Sequence, residues 1–113
     1  MLKTAYKENV TVLPGVFRER MSLNRAYLIG LDPQCLLQNF YLEAGIIIPG
    51  LQVVDDHAKA NLHWGWEAPT CQLRGHFLGH WLSAAAYYVA YDHDAELKVK
   101  LDKIISELAR CQQ

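Results

Sequence analysis

The sequence lacks any segment that reads as a membrane span. Its longest uncharged stretch near mid-chain, Ala44 to Val54, is too short to cross a bilayer and contains Pro49 and Gly50. It lacks an apolar leader as well, since Met1-Leu2-Lys3-Thr4-Ala5-Tyr6-Lys7-Glu8 holds no run of apolar residues. It has little net charge: 11 Lys and Arg stand against 12 Asp and Glu, for −1 with histidines neutral. That leaves no basic footprint for nucleic acid or an anionic membrane, and neither is expected as a partner. An even set of cysteines is missing too. Cys35, Cys71 and Cys111 are three, which suits free thiols in a reducing, cytoplasmic setting; a mature exported chain is the alternative. Low-complexity segments are absent.

What remains is a globular chain of 113 residues, 51% hydrophobic and 20% charged, enough for one domain at most. Val10-Thr11-Val12-Leu13 reads as a short strand closed by Pro14-Gly15. A single strand needs partners that the chain does not offer nearby. Phe17 to Leu31 reads as a helix, with Phe17, Met21, Leu28 and Leu31 near one face. Asp32 suits an N-cap and Pro33 the first position of a second helix. Leu36, Leu37, Phe40, Tyr41 and Ala44 form its buried face, and Gly45 suits the residue beyond its end.

Gly45 to Gly75 reads as a long irregular loop, which is often functional in a compact domain. The third helix spans about His76 to Tyr91 and is apolar on every side, so it needs protein around it. Asp92-His93-Asp94 breaks it, and Asp94 suits an N-cap for a fourth helix. There Leu97, Leu101, Ile104, Ile105 and Leu108 form an amphipathic stripe, with Lys98, Lys100 and Lys103 off it. An all-apolar helix followed by an amphipathic one is the alternation expected of inner and outer helices in an α/α barrel. The predicted fold class is therefore all-α, helical hairpins forming part of such a barrel, with one short N-terminal strand. Residues 1–15 form the strand segment and 16–113 the partial barrel.

The candidate chemistry gathers before and at the start of the third helix. His76 and His80 lie four apart, which places both imidazoles on one helix face. They suit a substrate-facing role, a shared metal, or ordinary structural hydrogen bonds. Phe77 stands where zinc helices of this spacing carry a glutamate base, and the spacings of Cys71, His63 and Glu67 match no standard closed zinc site. Trp64-Gly65-Trp66-Glu67 sets flat aromatic faces beside a carboxylate, a combination that suits a sugar ring; the alternative is a tryptophan that plugs the core beneath the loop. Glu67 could serve as a general acid or base, but a glycosidase pair would need Asp55 or Asp56 as its second member. Cys71, near Arg74 and His76, is a conceivable nucleophile.

A wider set of residues carries a family resemblance. It includes Pro14-Gly15-x-Phe17, Asn24-x-x-Tyr27-Leu28, Leu36-Leu37-x-Asn39-Phe40 and Ala44-Gly45. It continues through Trp66-Glu67, Arg74-Gly75-His76-x-x-Gly79-His80-x-Leu82-Ser83-Ala84, Asp94-x-Glu96-Leu97 and Glu107-Leu108-Ala109-x-Cys111-Gln112. From about Val10 to Gln112 the chain resembles the N-terminal part of the β-L-arabinofuranosidase-type glycoside hydrolases, families 127 and 146. The resemblance implies a longer protein with an (α/α)6 barrel and attached β-sandwich domains, acting on arabinose-containing glycans. It also implies a zinc-held cysteine nucleophile and a glutamate acid/base. These lie in a later part of the family's chain, and no cysteine or glutamate here matches them. The expectation is thus a fragment without catalytic residues or a cofactor of its own. Trp66, Glu67, His76 and His80 would line the sugar pocket. Self-association would cover Phe77, Trp81, Leu82 and Tyr88. The competing reading is a stand-alone helical binding or scaffold module. The Asp92-His93-Asp94 joint departs from the Thr-Gly-Asp common in the family.

Overall fold

The computed structural model describes residues 10–51 and 62–113. Asp55, Asp56 and His57 fall outside them. Four helices account for most of the described chain: α1 (Val16–Gly30), α2 (Pro33–Glu43), α3 (His76–Asp92) and α4 (Ala95–Cys111). A 3₁₀ turn, Gly65–Glu67, lies in the long connection between α2 and α3. The described residues contain no strand. Val10 to Leu13 does not form the expected one, because among the described residues no second strand lies alongside to complete a ladder. The Val12 N–H donates instead to the Tyr91 hydroxyl at 2.8 Å.

The helix ends follow local chemistry. Asp32 accepts a hydrogen bond from the Gln34 N–H at 2.7 Å, with Pro33 in the first turn. At the other end of α2, Gly45 takes φ +67°. Its N–H donates to the Leu42 carbonyl, and the Ile46 N–H reaches back to Tyr41 at 2.9 Å. That pair of bonds is a Schellman stop. Asp94 caps α4 by accepting from the Leu97 N–H at 3.0 Å.

α4 packs against both α2 and α3. The core between them holds Leu36, Leu37 and Tyr41 of α2, Leu78, Trp81, Ala85 and Tyr88 of α3, and Leu97 and Ile104 of α4. α1 adds Leu28, whose carbonyl accepts from the Trp81 indole N–H at 3.1 Å. Trp81 and Tyr88 are therefore already covered by this chain, and self-association is not needed to bury them. Phe17 and Ile105 lie on the expected apolar stripes but are exposed. Lys100, read as part of a wet face, is half-buried. Its ammonium donates to the carbonyls of Leu28, Ile29 and Leu31 and caps the C-terminal end of α1. Burial pushes the Lys100 amine below its ordinary value. No helix of the described residues is long and apolar enough to cross a membrane.

Candidate functional site

The N-terminal end of α3 has no cap from its own neighbours. Gly75 occupies the cap position at φ +86°, and a Cβ there would lie 3.3 Å from the Phe40 ring. The first N–H groups of a helix still need acceptors. Glu67, in the loop, supplies them. Its Oε2 accepts from the Gly75 N–H at 2.7 Å and its Oε1 from the Phe77 N–H at 2.8 Å. The positive end of the helix dipole favours a carboxylate in that place.

Two buried amides of α2 hold Glu67 from beneath. Asn39 Nδ2 donates to the Glu67 carbonyl at 2.9 Å and to Oε2 at 3.3 Å. Gln38 Nε2 donates to the same carbonyl at 2.9 Å and to the His63 carbonyl at 2.8 Å. Gln38 Oε1 accepts from the His63 N–H at 2.7 Å. One helix thus fixes the loop at His63 and at Glu67, and the loop fixes the start of the next helix.

Above this frame lies a cleft of about 650 Å³. Trp66, Glu67, His76 and His80 all line it, with Tyr27, Leu31, Leu62, His63, Trp64 and Phe77. The four residues singled out from sequence therefore meet around one cavity. Trp66 is 73% exposed and presents its indole to solvent. Trp64 is half-buried, and its indole nitrogen is buried without a hydrogen-bond partner. Both tryptophans line the cleft, Trp64 half-buried and Trp66 exposed. His76 and His80 are exposed, with their Nε2 atoms 2.9 Å apart. Glu67 lines the same cleft, but both its oxygens already accept backbone hydrogens, so its geometry is that of an anchor.

Other candidates stand apart. Cys71 Sγ accepts from the Leu73 N–H at 3.4 Å, and Arg74 pairs with Glu43. Cys35 and Cys111 lie half-buried on α2 and α4, and burial raises both thiols above their ordinary range. Among the described residues no three His, Cys, Asp or Glu side chains converge as metal ligands. The residues present do not fit the cysteine–glutamate zinc centre that the resemblance implies for longer members. Sequence reasoning missed Gln38 and Asn39 as the residues that hold the site. Their signal was two adjacent amides within the otherwise apolar run Cys35 to Leu42.

Four packed helices with an aromatic, imidazole-lined cleft at one helix start define an all-α domain. The comparisons narrow this class. A family model described as the β-L-arabinofuranosidase GH127 catalytic domain matches residues 9–113, and the chain belongs to that family. No curated protein and no solved structure matches the chain.

Proposed function

We propose that this chain forms one wall of the sugar pocket in a glycoside hydrolase acting on β-L-arabinofuranosyl-type linkages. The observation that carries the reading is the meeting of Trp66, His76 and His80 at one cleft, within a chain that belongs to the family. An exposed indole gives the apolar C–H face of a furanose a flat partner. Two exposed imidazoles offer donors and acceptors to its hydroxyls. In this reading α1–α2 and α3–α4 are two hairpins of an (α/α)6 barrel, and α3 is an inner helix. Its outward side, with Ser83, Ala86 and Tyr87, carries no charge although it is exposed.

The wall binds but does not cleave, because no residue here takes the family's nucleophile or acid/base role. Methyl β-L-arabinofuranoside should produce a saturable change in tryptophan fluorescence and no hydrolysis. Trp66→Ala should weaken that binding by about 0.5–1.5 kcal/mol. An unaltered titration in the variant, or turnover by the purified chain, contradicts the proposal. The second reading, a binding module that acts alone, takes the same cleft as its recognition surface. It predicts a sugar-independent ligand and no response to the arabinoside.

A further inference from the structure

The two imidazoles at the cleft have the spacing of a chelate. His76 and His80 sit one turn apart on α3, with Nε2 atoms 2.9 Å apart. Their rings cross at 82°, with centroids 4.6 Å apart. Two metal–nitrogen bonds of about 2.0–2.1 Å that meet at a right angle also hold their nitrogens about 2.9 Å apart. We propose that His76 and His80 form a two-imidazole site for a divalent transition-metal ion of the copper–nickel–zinc class, bound through Nε2 of both rings.

The surroundings suit such an ion. Both side chains are exposed, so water or a hydroxylic ligand can complete the coordination sphere. Both sit on the first turns of a long helix whose start Glu67 pins, so little order is lost on binding. A cation at a helix N-terminus meets the unfavourable end of the dipole. The Glu67 carboxylate, seated at that same end, offsets it. His63 lines the cleft but packs its ring edge-on against Phe77, at 6.1 Å between centroids. Among the described residues, the cleft therefore offers two imidazoles and not three.

The proton arrangement is simple. Without metal, a hydrogen bond between the two Nε2 atoms has one ring protonated at Nε2 and the other at Nδ1. With metal, both Nε2 lone pairs bind the ion, and the first ring carries its proton at Nδ1 instead. Neutral imidazoles thus bind without net proton release. The preference among ions follows the Irving–Williams order, with Cu²⁺ above Ni²⁺ and Zn²⁺.

Calorimetric titration of the full chain with Cu²⁺, Ni²⁺ and Zn²⁺ salts, with no sugar present, tests the site. The expected result is one ion per chain in that order of affinity. His76→Gln and His80→Gln should each weaken binding by about tenfold or more. His63→Gln and Cys71→Ser should leave it unchanged. Both imidazoles are exposed, so the variants keep the fold, and an unchanged melting temperature in the absence of metal verifies this. Imidazole ¹H–¹⁵N spectra with Zn²⁺ should show the His76 and His80 Nε2 signals moving together. Absence of saturable binding, or binding that survives the double histidine variant, overturns the proposal. Binding abolished by Cys71→Ser alone overturns it too.

Discussion

The two ends of α3 are built by different means. Its C-terminal end is closed by sequence neighbours. His93 turns the chain in the left-handed region at φ +54°, and Asp94 starts α4 at once. Long-range ties then reinforce that end. Arg25 clasps Asp94 and reaches Glu96, Arg18 holds Asp92 at 3.0 Å, and Tyr88 donates to the Met21 carbonyl at 2.6 Å. The N-terminal end has no local cap and depends on Glu67, eight to ten residues back, held by amides of α2. The closed end joins helices. The borrowed cap leaves a helix start open beside a cleft. A remote cap frees the residues at the start itself, His76 and His80, for other partners.

The largest effect should strike both ends at once. Trp81 is 1% exposed and lies between them. Trp81→Ala should cost about 3–5 kcal/mol, read from the denaturant midpoint. Next comes the borrowed cap: Glu67→Ala should destabilise by about 1–3 kcal/mol and loosen the cleft, seen as faster amide exchange at Phe77. Gly75→Ala forces a Cβ into the left-handed region and against Phe40, and should cost about 1–2 kcal/mol.

At the closed end, Arg25 holds the Asp94 carboxyl below its usual value of 3.8. Its stabilising contribution is therefore complete above about pH 4 and is lost as pH falls through the lower folded-state value. Urea midpoints across the acid range should show this slope, and Asp94→Asn should flatten it. The smallest change is a gain. His93→Gly removes a side chain from left-handed backbone and should stabilise by up to about 1 kcal/mol. The glycine common in the family at that joint fits the same geometry.

Legibility in the sequence divided along the same line. Asp32, Pro33, Gly45 and Asp94 act on N–H and C=O groups a few residues away, so the ends of α2 and the start of α4 could be read directly. Trp66, Glu67, His76 and His80 were grouped by chain position and the family pattern, and they line one cleft, but the part of Glu67 as the cap of α3 was not read. The long-range arrangements were not. Gln38 and Asn39 fix the loop across 25 to 29 residues of sequence. Lys100 leaves a solvated stripe to cap a helix some 70 residues earlier. The strand expected at Val10 to Leu13 rested on propensity, and no ladder partner exists among the described residues. Periodicity sees faces, but it does not see which remote polar group completes them.

The most direct test of the central claim, that the loop and the start of α3 form a sugar-binding wall, is a metal-free NMR titration with methyl β-L-arabinofuranoside. The account predicts saturable shifts at the Trp66 indole and at the His76 and His80 imidazoles, with the buried Trp81 indole unmoved. Spectra in which those three residues stay still at saturating sugar, or in which Trp81 shifts as much as Trp66, would contradict it.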